Sequence, residues 1–306
     1  MNNYKTISKY CEAIGISHPK HPHFDIRSFE ENMATVKSKM PPFRHEFYSI
    51  ALKIEGEGIV ISGHNTEFPE NATIFFNSPF QILSWDIKPD WTGFYIMFSQ
   101  DFISKSTYLK DILQYFPFLK IDKAVPFEVD KKAVKTIANI YASIKSNYLS
   151  NEKDKFVFIE TYVLLLLNFV KRYLEKSIPH QETEDAIRKT DLKLLSRFQE
   201  LIVNSFMAET TLETFSNVHS PTYYANILNI HPNHLNAVVK SITGITAKQH
   251  IQNHILQIAK SRLIHTQHSV KEIAYSLYFD SPNNFSNFFK KSTSKTPNSF
   301  RKEAIL

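Results

Sequence analysis

Residues 232–243, PNHLNAVVKSIT, and residues 282–293, PNNFSNFFKKST, decide how this chain is read. They align without a gap at an offset of fifty, so that Pro232, Asn233, Lys240, Thr243 and Thr246 recur as Pro282, Asn283, Lys290, Thr293 and Thr296. Apolar positions recur with them: Leu235, Val238 and Val239 correspond to Phe285, Phe288 and Phe289. Steps of three and four residues put each apolar set on one face of a helix, which must then be buried.

Working outward, each copy is preceded by a short helical pattern, 223–228 and 270–277, and a turn of three or four residues. The segments therefore read as helix, turn, helix, twice, over about 222–243 and 269–293. Ser269 and Glu272 have the spacing of a capping box, and Ser281 before Pro282 is a cap residue followed by proline at the first helical position. His231 before Pro232 is a weaker cap.

The side away from the apolar face carries Asn233, Asn236 and Ala237 in the first copy and Asn283, Asn284 and Asn287 in the second. Lys240, Lys290 and Lys291 follow further along. Asparagine is a poor residue for a helix interior, so its enrichment asks for a reason other than helix propensity. A major groove supplies one: an asparagine amide can pair with adenine N6 and N7, while lysine holds phosphates. Two solvated amphipathic helix pairs are the plainer alternative.

Charge is placed in the same region. The 306 residues carry 36 Lys and Arg against 30 Asp and Glu, a net +6. Residues 221–306 alone hold ten basic groups and three acidic ones, which leaves residues 1–220 near neutral at −1. A basic module on a neutral body suits a phosphate-backbone binder, because neutralised phosphates release counterions. An acidic protein partner or a membrane surface would ask for a similar balance.

Composition narrows the rest. Apolar types at 42% and charged types at 22% are those of chains that fold around a core. A lone cysteine, Cys11, excludes an internal disulfide and a Cys-rich metal cluster supplied by one chain, which fits a reducing compartment. The opening MNNYKTISKY lacks the apolar run of a signal peptide, and the most apolar stretch, 162–170, is short of the roughly 20 residues of a membrane span. A cytoplasmic protein without a membrane partner is expected.

From about 22 to 105 the pattern is of short strands, at 47–54, 58–62, 72–76, 82–87 and 92–98, with Gly and Pro between them. It predicts an antiparallel barrel or sandwich. The period changes at Val134, Ile137, Ile140, Tyr141, Ile144 and Tyr148 to that of an amphipathic helix. A second helix over 156–173 is apolar nearly all round and must be buried on more than one side, in an intramolecular core or at a dimer seam. Residues 177–190 are polar, contain Pro179 and read as a linker. A multi-domain chain follows: 1–176 with a helical segment 130–176, the linker 177–190, and an all-α domain over 191–306.

The repeated segments resemble the AraC/XylS family of bacterial transcription regulators, over about 224–301. The stretches are YYANILNIHPNHLNAVVKSITGITAKQHI at 223–251, AKSRLIHTQHSVKEIAYSLYFDSPNNFSNFFKKSTSKTP at 259–297, and Phe300 with Arg301. The resemblance implies two helix-turn-helix units joined by a long helix over about 247–265, reading successive major grooves of double-stranded DNA. It implies base-reading positions at Asn233, Asn236 and Ala237, then at Asn283, Asn284 and Asn287. Phosphate contacts are expected from Lys240, Lys248, Lys290, Lys291 and Lys295. Ala237 stands where Arg is usual, Tyr278 where a turn Gly is usual, and Ser294 where the first copy keeps Gly244.

More loosely, RHEFYSIALKIEGEG at 44–58, TIFFNSPFQILSW at 73–85 and FYIMFS at 94–99 resemble the cupin-like sensor domain of the same regulators. That implies an N-terminal all-β cupin-like barrel, a small-molecule effector, a homodimer, and RNA polymerase as a partner if the protein is an activator. His45 and Glu46 have no second strand His nearby, and Leu83 lies where a His is common, so neither metal nor other cofactor is expected.

Catalytic patterns are weak. His250 and His254 are four apart, but Ile251 replaces the Glu of an H-E-x-x-H site, and the pair is expected at the surface or facing phosphates. Ser292 and Lys295 form an S-x-x-K of the kind that arises by chance. Six glycines leave no phosphate-cradling loop. The alternative to a regulator is a metal-independent cupin-like enzyme or ligand carrier with a C-terminal interaction module.

Overall fold

The computed structural model describes residues 1–63, 69–109, 112–177, 186–207 and 217–305. Its internal contacts divide the chain into Met1–Glu184 and Asp185–Leu306. The first unit runs β1 (Asn2–Tyr4), α1 (Ile7–Ile14), β2 (Phe24–Ser28), β3 (Lys39–His45), β4 (Phe47–Glu55), β5 (Gly58–Ser62), β6 (Thr73–Asn77), β7 (Leu83–Ile87) and β8 (Thr92–Ser99). It continues through α2 (Gln100–Lys105), α3 (Ile112–Tyr115), a 3-10 turn at Pro117–Leu119, β9 (Phe127–Glu128), α4 (Lys131–Leu149) and α5 (Lys155–Ser177).

The strands form two open sheets, ordered β1-β3-β7-β5 and β2-β8-β4-β6-β9. Pairing is antiparallel except between β1 and β3. From β3 to β8 each successive strand crosses to the other sheet, so neighbours in sequence face one another and do not share a ladder. Closure would need an edge strand of one sheet to bond an edge strand of the other, and among the described residues none does. The cupin-like barrel expected from the sequence is therefore not formed. The unit is a sandwich of two sheets, with helices on the outer side of the five-stranded one.

The strand β4 shows why its sequence does not alternate cleanly between apolar and polar. Its odd-numbered residues Phe47 and Ala51 pack between the sheets, while Tyr48, Ile50 and Leu52 pack with Ile137, Tyr141, Val163 and Leu167 of α4 and α5. A strand covered on both faces needs apolar residues on both. Two phenols tie α4 down: Tyr141 donates to the Ile50 carbonyl at 2.8 Å and Tyr148 to that of Phe24 at 3.2 Å. In α5, Ile159, Val163, Leu166, Leu167 and Val170 are fully buried, whereas Val157, Phe158 and Leu165 are exposed. The intramolecular core thus accounts for one side of that helix.

The second unit holds α6 (Ala186–Met207), α7 (Pro221–Ile227), α8 (Pro232–Thr243), α9 (Ala247–His265), α10 (Val270–Ser276), α11 (Pro282–Thr293) and α12 (Pro297–Ile305). Of the expected linker, residues 178–185 lie outside the described residues. Helix α8 packs on α6, α7 and α9, and α11 on α10 and α12. Leu235, Val239, Phe285 and Phe289 are fully buried, so the repeated apolar positions are the core of each helix pair.

Candidate nucleic-acid interface

Each helix pair is set by its turn. After α7 the backbone turns left-handed at Asn229 (φ 55°), and after α10 at Tyr278 (φ 59°). The next amide then reaches back, Ile230 N–H to the Ala225 carbonyl and Phe279 N–H to that of Ala274, each at 3.0 Å. That bond closes a helix end by satisfying a carbonyl the helix leaves open. Left-handed residues recur where the second helices end, at Gly244 (φ 78°) and Ser294 (φ 63°). Both cap residues of the second copy are formed: Ser269 and Glu272 make a reciprocal capping box, and Ser281 accepts from Asn284 N–H. The Ser269 amide, donating to Glu272, holds that carboxyl below its usual range.

Asn233, Ala237, Asn283, Asn284 and Asn287 are all exposed, as are Lys240, Lys248, Lys290, Lys291 and Lys295. Lys295 is paired with Glu303. Asn236 differs from the rest, being half-buried, and its Oδ1 accepts from the Ala247 N–H at 3.1 Å. It thereby ties α8 to the first residue of α9. At the repeat offset its partner is Ser286, and Ala247 corresponds to Pro297, which has no N–H to offer. The amide is therefore explained in the first copy and not required in the second. By the same offset, Asn284 corresponds to His234, so the amides coincide in register only at Asn233 and Asn283.

Two further cations are occupied inside the unit. Arg262 of α9 donates to the Ser276 carbonyl at 3.0 Å and the Phe206 carbonyl at 3.3 Å, linking α10 and α6. Arg301 donates to the carbonyls of Leu263 and His268 at 3.0 and 2.6 Å, holding α12 against the end of α9. Sequence counting puts both among the basic groups without revealing these bonds.

The expectation for His250 and His254 is overturned. Both rings turn toward α6, at 6.4 Å from Phe198 and 6.0 Å from Phe206. Burial pushes both imidazoles down to about 4. They are uncharged near neutral pH and have no charge to offer a phosphate. The reason is their position: on α9 they lie one residue before Ile251 and Ile255, on the flank of its buried stripe.

A helix-turn-helix domain family matches residues 224–303. The matched span holds both helix-turn-helix units, from α7 to α12. The chain is 24% identical over 155 residues to the uncharacterized HTH-type transcriptional regulator YtdP of Bacillus subtilis (strain 168), covering 50% of this chain and 19% of that protein. It is 31% identical over 111 residues to the bifunctional transcriptional activator/DNA repair enzyme AdaA of the same strain, covering 36% and 48%. Among solved structures it is similar to the C-terminal domain of AraT, a response regulator from Geobacillus stearothermophilus, at 24% identity and TM-score 0.31, covering 36% of this chain and 84% of that one. The chain thus spans less than half the length of the curated relatives it matches. Both curated relatives are transcriptional regulators by name, the second together with a DNA repair activity. No described helix is long and apolar enough to cross a membrane, and the described residues hold no cluster of three or more His, Cys, Asp or Glu able to bind a metal.

Proposed function

We propose that the chain is a one-component transcription regulator, in which residues 191–306 bind specific double-stranded DNA and residues 1–176 sense a small-molecule effector or form a homodimer. The base-reading residues are Asn233, Asn236 and Ala237 of one helix and Asn283, Asn284 and Asn287 of the other, in successive major grooves. Lys240, Lys248, Lys290, Lys291 and Lys295 hold phosphates, Lys295 by leaving Glu303. The observation that carries this reading is the exposure of amides and lysines on both recognition helices of the helix-turn-helix repeat. Asn236 serves best as a part-time reader, since its Oδ1 is engaged by Ala247 and only the amide N–H groups remain to be offered.

An effector acts in this scheme by binding one arrangement of the two units better than another, which changes DNA affinity by the same factor. The setting is the cytoplasm, with RNA polymerase as the partner of an activator. A gel-shift salt titration of the whole protein tests the core of the proposal. With about six phosphate contacts, affinity falls roughly a thousandfold between 50 and 200 mM salt. Weak binding that is indifferent to both salt and sequence would reject it.

A further inference from the structure

Between the two sheets lies a cavity of about 100 Å³, lined mainly by apolar and aromatic side chains that include Phe29, Phe75, Trp85, Trp91 and Met97. None of its lining residues is Lys, Arg, Asp or Glu. Most of its polar groups are already engaged. The indole N–H of Trp85 donates to the Lys37 carbonyl at 2.8 Å, that of Trp91 to the Glu57 carbonyl at 3.0 Å, and the Asn32 amide to the Tyr95 hydroxyl at 2.9 Å.

Two polar side chains among the lining residues, besides the hydroxyls of Tyr10, Ser84 and Tyr95, have bonding capacity to offer. His45 is 1% exposed, and its Nδ1 has no hydrogen-bond partner among the described residues. Burial pushes its imidazole down to about 3, so the ring is neutral. Leaving such a buried polar atom unsatisfied is unfavourable, which makes it a place where a ligand gains. The second atom is the Ser49 hydroxyl, at the end of a directed chain of bonds. Gln81 Nε2 donates to Ser62 Oγ at 3.0 Å, Ser62 Oγ to Asn77 Oδ1 at 2.9 Å, and Asn77 Nδ2 to Ser49 Oγ at 2.9 Å. Ser49 accepts from the chain, and among the described residues its own proton has no acceptor and can be donated onward. Bonds in series polarise one another in the same sense, so the last hydroxyl is a strengthened donor.

From this wall we infer that the cavity binds a small uncharged molecule, a single aromatic ring bearing a hydroxyl, with that group recognised by Ser49 and His45. The inference rests on reading the N-terminal unit as the sensing half and adds the class of molecule sensed. Charge is excluded because no lining side chain is ionised and an isolated ion in such surroundings is strongly disfavoured. Volume sets an upper limit on size: a cavity of about 150 Å³ lined by apolar side chains takes up benzene, and this one, at about 100 Å³, admits no more than a single ring and must widen slightly to do so. A hydroxyl suits the two polar atoms because it both accepts and donates, and so satisfies a serine proton and either tautomer of a neutral imidazole.

The chain has two tryptophans, and both Trp85 and Trp91 line this cavity, so intrinsic fluorescence of the full chain reports on it directly. Phenol is the probe, with benzoate and benzylammonium as charged counterparts. Phenol is expected to give a saturable change, with both charged molecules at least a hundredfold weaker. Ser49→Ala is expected to weaken phenol about five- to tenfold, the loss of one hydrogen bond. Val60→Phe, which fills the cavity, is expected to abolish the change, with retained DNA binding showing that the protein is folded. No saturable change up to about 10 mM phenol, a ceiling near 3 kcal/mol of binding, overturns the inference. So does benzoate binding as tightly as phenol, or Ser49→Ala leaving the affinity unchanged. DNA affinity measured with and without saturating phenol separates the two levels. Saturable binding that leaves DNA affinity unaltered upholds the binding site and removes the sensing role.

Discussion

The repeat is most informative at single residues where its two copies differ. Gly244 and Ser294 end equivalent helices in the same left-handed conformation, at φ 78° and 63°. A Cβ added to Gly244 would meet nothing within 4 Å, so at that site the difference is one of backbone strain alone. That strain is about 1–2 kcal/mol for a residue with a side chain, partly offset by the greater freedom of glycine in the unfolded chain. Ser294→Gly is therefore expected to stabilise the C-terminal unit by about 0.5–1 kcal/mol, and Gly244→Ser to destabilise it by a similar amount, as read from urea midpoints. Asn236 allows a second comparison. Removing its bond to Ala247 N–H costs about 1 kcal/mol of stability, while Asn233→Ala, at an exposed position, leaves the midpoint within about 0.5 kcal/mol. Equal midpoints for the two variants would show that the bond contributes nothing.

At the scale of elements, the two recognition helices separate specificity from affinity. Asn283→Ala and Asn287→Ala are expected to relax base preference, by about 1–3 kcal/mol at the base pairs they face. Lys290→Ala should weaken specific and random duplexes alike and lower the salt slope by about one contact. Equal losses on both duplexes for the Asn variants would reject their role as readers. These helices are also the most legible part of the chain: 232–243 and 282–293 fold over the spans that repeat, caps and apolar period predict, and 247–265 over the span that the family resemblance implies. Strands were legible only where their letters were apolar. β2 lies outside the predicted strands: FDIRS carries Asp25 and Arg27, which the fold buries as a pair at 2.7 Å, Arg27 also donating to Ser17. β3 also lies outside the predicted strands, and it carries Pro41 and Pro42, which have no N–H to give a ladder. The structure places them where the register with β7 shifts between Met40 and Phe43, an irregularity that tolerates a missing donor. The barrel was over-read for a related reason, since alternation along a strand reports a covered face and says nothing of which strand bonds which.

Across the whole molecule, buried imidazoles make stability depend on pH in both units at once. His21 and His45 in the first unit are pushed down to about 4 and 3, and His250 and His254 in the second to about 4, in each case chiefly by desolvation. An unfolded histidine takes up its proton near pH 6.5. Below that pH the unfolded chain binds protons that the folded chain refuses, so stability falls as pH falls. The loss grows from about pH 6.5 down to about 4 for His250 and His254 and to about 3 for His45 before it levels, on the order of a few kcal/mol each, and solvent screening makes the share of the half-buried His21 smaller. Glu31, Glu272 and Glu303, which their hydrogen bonds hold below the usual carboxylate range, lose their own contribution only at lower pH. Unfolding followed by urea at pH 7, 6 and 5 should therefore show falling midpoints for both units. His254→Leu should flatten the dependence of the C-terminal unit alone, because His254 Nε2 is buried with no hydrogen-bond partner among the described residues and an apolar side chain there removes the refused proton. Trp85 and Trp91 report the first unit and far-UV circular dichroism the largely helical second, so the two responses can be told apart in one protein. A His254→Leu protein whose C-terminal midpoint still falls as steeply between pH 7 and 5 would place the proton uptake elsewhere.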